Sequence, residues 1–349
     1  MAPNPARLIS LASASPPHQF VQDEVAGAAR RLFAHRYRDF DRLFPVFRNA
    51  GVQRRQAVQP MDWYLEGRSL PKRTAVYLKG AVELFCVAAH EALASAHLTA
   101  ADVDTVVTIS STGIATPSLE ARAMERLGLR EDVSRVPVFG LGCAGGVSGL
   151  SIAARLAQAQ PGAVVLLVAV ELCTLAFRPD ELSSANIVAT ALFGDGAAAC
   201  VLRAGGEGLA EITGAAEHTW PNSLNMMGWN VDSLGLGVIF DRSIPSFAAK
   251  RLRPAIEGTL QRMGIGFEEV DRFICHPGGA KVIEALETSL DLGQGVLGFE
   301  REVLADHGNM SAPTVLFVLK RALDSAVRGQ LVLTALGPGF TASCLAMAT

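Results

Sequence analysis

Two kinds of apolar run recur along the chain. Short ones, Ala163 to Val170 foremost, are apolar throughout or nearly so, as strands buried on both faces require. Longer ones, Val76 to Ala96, Gly146 to Ala159, Phe247 to Met263 and Ala312 to Ala326, read as helices. Their order is repeated. The helix Val76 to Ala96 leads through Leu98-Thr99-Ala100-Ala101-Asp102 to Val103-Asp104 and the strand Thr105 to Ser110. The helix Phe247 to Met263 leads through Ile265-Gly266-Phe267-Glu268-Glu269 to Val270-Asp271 and the strand Arg272 to Cys275. In the first copy Gly142-Cys143, a helix rich in small residues, Gly162 and the strand Ala163 to Val170 follow. In the second come Gly308-Asn309, the helix Ala312 to Ala326, Gly329 and the strand Gln330 to Ala335. Cys143 stands 39 residues after Asp104 and Asn309 stands 38 after Asp271. The two residues therefore hold equivalent helix-entry positions in a duplicated unit. Strands too apolar for one wet face predict an α/β protein with mixed or parallel sheets covered by helices.

Composition narrows the function. The chain has 349 residues, half of them hydrophobic, enough for a large core. A net charge of -3 with no basic run argues against a nucleic-acid partner. The six cysteines, Cys86, Cys143, Cys173, Cys200, Cys275 and Cys344, form no C-x-x-C pair, and read as reduced thiols rather than a disulfide framework. No apolar run approaches the roughly 20 residues of a membrane span, and Leu8 to Ala14 is short for a signal peptide. The expectation is a cytoplasmic protein.

Three polar residues stand out. Cys143 lies in Val138-Phe139-Gly140-Leu141-Gly142-Cys143-Ala144-Gly145-Gly146, with glycines crowding one thiol where a helix begins. A helix N-terminus stabilises a thiolate, so a lowered pKa is expected for a nucleophile here; a small buried hydrophobe is the bland alternative. His276 ends an apolar strand and opens a Pro277-Gly278-Gly279 turn, where α/β proteins place catalytic groups. Taken alone, it reads more readily as a satisfied core histidine. Asn309, in His307-Gly308-Asn309-Met310-Ser311-Ala312-Pro313, offers amide donors to a developing oxyanion, or serves as a plain helix cap. The duplication sets it opposite Cys143. Gly337-Pro338-Gly339 predicts a hairpin turn.

These motifs together resemble the type III polyketide synthases of the chalcone synthase superfamily. Cys143, His276 and Asn309 match that family's Cys-His-Asn centre in order, local motif and spacing. Gly308-Asn309-Met310-Ser311 resembles its asparagine motif. Ala191-Leu192-Phe193-Gly194-Asp195-Gly196-Ala197-Ala198 resembles the signature whose phenylalanine gates the cavity, which puts that role on Phe193. Gly337-Pro338-Gly339 resembles the family's C-terminal loop, with Ala335 where its first glycine usually lies. The likeness runs from about Arg7 to the C-terminus.

The resemblance implies a thiolase fold: a duplicated five-layer αβαβα architecture with mixed sheets around buried central helices. It divides the chain into an N-terminal half, residues 1–205, carrying the cysteine, and a C-terminal half, residues 206–349, carrying the histidine and asparagine. It implies iterative decarboxylative Claisen condensation of malonyl-CoA onto an acyl-CoA starter, in a homodimer, without metal or other cofactor. Thr116 stands in Ser111-Thr112-Gly113-Ile114-Ala115-Thr116-Pro117, which is similar to the dimer-interface loop. Thr116, Ala176 and Val238 are smaller than their plant counterparts, which implies extra apolar volume for a long acyl chain. Met61-Asp62-Trp63-Tyr64 and Met227-Gly228-Trp229-Asn230 look closer to bacterial alkylresorcinol and alkylpyrone synthases than to chalcone synthase. Ser311 and the Gly337-Pro338-Gly339 loop are expected beside the substrate. Gly278 and Gly279 are expected beside coenzyme A, whose phosphates find their nearest candidates in Arg42 and Arg48, with Arg54 and Arg55 close by. An exposed charge cluster explains those arginines equally well. Two alternatives remain at this stage: a single-round ketoacyl synthase of the same fold, and a Cys-His-Asn hydrolase, which leaves the duplication unexplained.

Overall fold

The computed structural model describes residues 4–349. In chain order its strands are β1 (Ala6–Ala14), β2 (His18–Val21), β3 (Arg54–Ala57), β4 (Thr105–Ile109), β5 (Ser134–Val138), β6 (Val165–Leu172), β7 (Asp195–Ala204), β8 (Ala210–Thr219), β9 (Met227–Asp232), β10 (Gly235–Phe240), β11 (Arg272–Cys275), β12 (Gln330–Gly337) and β13 (Thr341–Ala348). Nine lie side by side in the order β11-β12-β13-β8-β1-β7-β6-β4-β5, while β2 with β3 and β9 with β10 form separate ribbons. β6 is buried along its whole length, as its unbroken apolar run requires.

The duplication is visible strand by strand. β4 and β6 run parallel, as do β11 and β12. Each pair continues into an antiparallel neighbour, β7 in one half and β13 in the other. Asp104 and Asp271 make the same bonds: Asp104 Oδ2 accepts from Val164 N at 2.8 Å, and Asp271 Oδ2 from Gln330 N at 2.7 Å. The two expected sheets are joined into one. β1 and β8 are equivalent edge strands, and they meet through Arg7–Glu211 and Leu8–Ala210. An open edge carries unpaired backbone groups, and this short contact satisfies part of both edges.

Two helices, Gly145–Ala159 and Ala312–Asp324, fill the space between the halves. Both are apolar around most of their girth, as burial on all sides demands. Helices Leu70–Ser95 and Ile244–Met263 cover the outer faces, the first against β1, β6 and β7, the second against β8 and β13. The result is the layered thiolase arrangement. Small residues let the central helices touch. A Cβ on Gly146 would run into the carbonyl oxygen of Ala312, and one on Gly145 would lie 3.0 Å from the Ala312 Cβ. Among the described residues no helix is long and apolar enough to cross a membrane.

Gly146→Val should therefore destabilise the protein by about 1–3 kcal/mol or more, because a backbone carbonyl cannot step aside. Gly27→Ala, whose Cβ would meet nothing nearer than an arginine tip at 3.8 Å, should raise stability slightly. Thermal midpoints of the two variants against the parent chain check both signs.

Candidate active site

Cys143 sits in a single 3-10 turn, Gly142–Ala144, that runs straight into the first central helix. Its loop is held from three sides. Ser111 Oγ accepts from Gly140 N at 3.0 Å and from Gly142 N at 3.3 Å. Gly142 takes φ +49° with Pro338 packed where its side chain would be, 2.6 Å from an ideal Cβ. Gly337 lies so close that a Cβ there would be 2.6 Å from both Leu141 O and Ala144 Cβ. The Gly337-Pro338-Gly339 turn, which joins β12 to β13 as expected, thus clamps the cysteine loop.

His276 follows the end of β11, and its backbone N donates to Thr334 O at 2.8 Å. The ring is buried, yet neither Nδ1 nor Nε2 has a hydrogen-bond partner among the described residues. Asn309 precedes the second central helix and is stitched to the Phe193 loop. Asn309 N donates to Leu192 O at 2.8 Å, and Gly194 N donates to Asn309 O at 3.1 Å. Glycine on both strands of this bridge makes the approach possible, since a Cβ on Gly308 would lie 2.6 Å from Leu192 O. The Asn309 side chain is oriented by its own bonds. Oδ1 accepts from Ser311 N at 2.8 Å and faces Cys143 Sγ at 4.0 Å, while Nδ2 donates to Gly278 O at 3.3 Å. An amide nitrogen carries two hydrogens, so one N–H remains uncommitted. Cys143, His276 and Asn309 line one cavity together with Phe240, Val282 and Ala335.

Burial controls the charges here. It pushes the Cys143 thiol up to about 11, the nearby Glu171 carboxylate acting in the same direction, against hydrogen bonds from Ser311 and Asn309. The expected lowering by the helix N-terminus is outweighed: desolvation of a thiolate costs more than one helix end returns. Burial also pulls His276 down to about 4. Each group by itself rests neutral near pH 7. Glu171, raised to about 7 by burial, accepts from Ser111 N, Thr112 N and Thr112 Oγ1 at 2.7–3.0 Å and so fixes the loop that holds Gly140 and Gly142.

Residues 63–206 match the family model of chalcone and stilbene synthases, N-terminal domain, and residues 211–348 match that of the C-terminal domain. The chain belongs to the chalcone and stilbene synthase family. A putative chalcone synthase of Bacillus subtilis is 37% identical over 97% of this chain and 98% of its own length. The 1,3,6,8-tetrahydroxynaphthalene synthase of Streptomyces peucetius is 37% identical over 95% and 89%. The crystal structure of 1,3,6,8-tetrahydroxynaphthalene synthase from Streptomyces coelicolor, a bacterial type III polyketide synthase, superposes with a TM-score of 0.93 at 28% identity, covering 98% of this chain and 99% of that one. The protein is a type III polyketide synthase, an acyltransferase with the thiolase fold.

The remaining candidates of this synthase divide. Phe193, Val238, Ser311 and Pro338 line a second cavity that shares Cys143 and Asn309 with the first. Gly278 and Gly279 lie at a wider mouth, together with Arg42. Arg48 does not line that mouth; two cations outside the expected set, Arg242 and Lys281, do. Arg55 is buried, and its Nη atoms donate to Thr190 O, Ala191 O, Phe193 O and the Gln22 side chain, so it holds the Phe193 loop rather than a phosphate. Arg54 pairs with Asp306 at 2.8 Å. Thr116 is exposed and Ala176 is buried, and neither lines these cavities; Cys173 of the Ala176 turn does. Nor is an aromatic wall lost at Val238, because Phe240, two residues on along β10, faces the mouth and both inner cavities.

If His276 accepts the Cys143 proton, removing it should expose the bare effect of burial. In His276→Ala, alkylation of Cys143 by iodoacetamide should rise about tenfold per pH unit toward pH 11. The parent enzyme should alkylate faster throughout the neutral range. Superimposable pH–rate profiles for the two proteins would show that the imidazole takes no part in activating the thiol.

Proposed function

We propose that the enzyme loads a long-chain fatty acyl group from coenzyme A onto Cys143, extends it with malonyl-CoA over several rounds, and releases an alkylpyrone or alkylresorcinol. The observation that carries the chemistry is the meeting of one thiol, one buried imidazole with both nitrogens unpartnered among the described residues, and one amide with a spare N–H around a single cavity. In the first step the Cys143 proton passes to His276, the thiolate attacks the acyl-CoA carbonyl, and coenzyme A leaves with the proton. Malonyl-CoA then loses carbon dioxide. Its electron pair moves into the thioester as an enolate, whose oxygen takes hydrogen bonds from His276 and Asn309. The enolate carbon attacks the Cys143 thioester, a carbon–carbon bond forms, and the thiolate is expelled. Return of the lengthened chain to Cys143 starts the next round.

Cation placement supports a coenzyme A ester. Arg42, Arg242 and Lys281 stand at the mouth, and the mouth shares Phe240, Gly278 and Val282 with the cavity holding His276, a path suited to the pantetheine arm. Wall chemistry supports an apolar starter: Phe193, Met227, Val238 and Ile239 surround Cys143. Met227, Gly228 and Trp229, from the segment that looks like alkylresorcinol and alkylpyrone synthases, are part of that wall, and Trp229 is pinned by Nε1 donation to Ser111 O at 2.7 Å. The exposure of Ile114 and Phe139, 64% and 55%, beside the Thr116 loop supports a second copy of the chain on that face.

Mass spectrometry of products from malonyl-CoA and acyl-CoA starters of graded length tests this reading. Alkylpyrones or alkylresorcinols from long starters are expected; β-ketoacyl products without rings would replace it by a single-round synthase. Cys143→Ala should abolish chain growth, whereas Cys143→Gln should keep malonyl-CoA decarboxylation measurable. Asn309→Ala should slow that decarboxylation by about a hundredfold or more. Lys281→Ala combined with Arg242→Ala should raise KM for malonyl-CoA and leave KM for the N-acetylcysteamine thioester, which lacks the phosphates, unchanged.

A further inference from the structure

β11 is an edge of the nine-stranded sheet, paired with β12 on one side and with no strand on the other. Backbone groups along an open edge need partners from elsewhere. His276 N donates inward to Thr334 O of β12. Cys275 N, one residue earlier, donates instead to Glu300 Oε1 at 2.9 Å. Glu300 has no exposed surface and stands in the first turn of the helix Gly298–His307. A buried carboxylate therefore takes the edge donor next to the active-site histidine.

The helix matters because of where it leads. Gly308 and Asn309 follow it directly, so Glu300 and Asn309 lie nine residues apart on one segment. That segment is tied at both ends. In the last turn Gln53 N donates to Ala305 O at 2.9 Å and Arg54 pairs with Asp306; in the first turn Glu300 holds Cys275. Among the described residues, this is the only hydrogen bond between the helix and β11.

A carboxylate is a costly choice for that task. Burial raises Glu300 to about 7, against the bond from Cys275 N and the charges of Arg272 and Arg301. Its Oε2 has no hydrogen-bond partner among the described residues. Arg272 Nη2 comes no nearer than 3.9 Å, and the Arg272 guanidinium lies over the Phe299 ring, 4.5 Å from its centre. A leucine would fill the space without the desolvation of a charge. What it would lack is the oxygen that holds Cys275.

We infer that Glu300 is a positioning residue: its carboxylate ties the strand carrying His276 to the helix delivering Asn309, and so sets the spacing of the two donors to the enolate oxygen. Cys275 and His276 are neighbours, so a shift of one backbone group turns the next. The inference rests on the reading that His276 and Asn309 hold that oxygen.

The test measures malonyl-CoA decarboxylation in the Cys143→Gln background, which reads the donors without chain growth. Glu300→Gln keeps an acceptor oxygen at the same reach and should retain most of the rate. Glu300→Leu removes the acceptor, and Glu300→Asp keeps the charge but withdraws it by one methylene. Both should lower kcat by about tenfold, with KM for malonyl-CoA within about twofold of the background. Rates are taken per folded protein, from the thermal unfolding transition of each variant, and the aspartate variant carries the test if the leucine variant does not fold. A purely structural role lowers the unfolding midpoint and leaves kcat per folded protein unchanged. That result overturns the inference, as does an equal loss in Glu300→Gln, or a change confined to KM. Asn309→Ala, run beside them, separates the two readings. If it slows decarboxylation while Glu300→Leu and Glu300→Asp do not, the donor reading stands and the inference falls; if it leaves the rate unchanged, both fall.

Discussion

Everything in this molecule depends on how closely two buried helices approach. Gly146 leaves no room for a side chain because the Ala312 carbonyl occupies the place of its Cβ. This contact brings the N-terminal ends of both central helices to one point. One end carries Cys143 and the other carries Asn309. Distance between nucleophile and amide, 4.0 Å from Sγ to Oδ1, is thus a property of backbone packing, not of two flexible side chains. Glycines at 145, 146 and 149 reduce the helix's own propensity; tertiary contact on every side more than offsets that loss.

The same burial that packs the helices governs the chemistry. A thiol at about 11 and an imidazole at about 4 keep these two groups uncharged at rest, which matches walls of Phe, Met, Val and Ile. In the proposed mechanism charge arises when the Cys143 proton passes to His276, and in a low dielectric the hydrogen bonds that meet it are strong. Ionic groups are kept at the periphery, where Arg42, Arg242 and Lys281 face the mouth. Glu171, buried beside the site, is satisfied by Ser111 and Thr112 and spends its bonds on loop geometry.

Spacing made the duplication legible, and with it the fold and the three central residues, because a repeat of 39 and 38 residues constrains where equivalent positions must meet. What spacing does not carry is which way a side chain faces. Val238 and Phe240 are two apart on β10 and so lie on one face, yet only their place in the ribbon shows that Phe240 supplies the aromatic wall expected to be missing. Cys173 read as one more reduced thiol; that it lines the Cys143 cavity beside Phe193, twenty residues on, follows only from the fold. Arg55 looked like one more surface cation beside Arg54. Alternation along β3 buries one and exposes the other, a signal that period-two reading of the short strand contains. Arg242 reaches the mouth from a turn and Lys281 from the start of the helix Ala280–Ser289, and no local pattern links them.

The clamp of Pro338 on Gly142 has a consequence for how the molecule is made. A chain leaves the ribosome from its N-terminus, and domains fold as they emerge. The cysteine loop is synthesised long before the turn that encloses it, and the histidine and asparagine come in between. A nascent chain with only the first repeat therefore has Cys143 without His276, Asn309 or Pro338 around it.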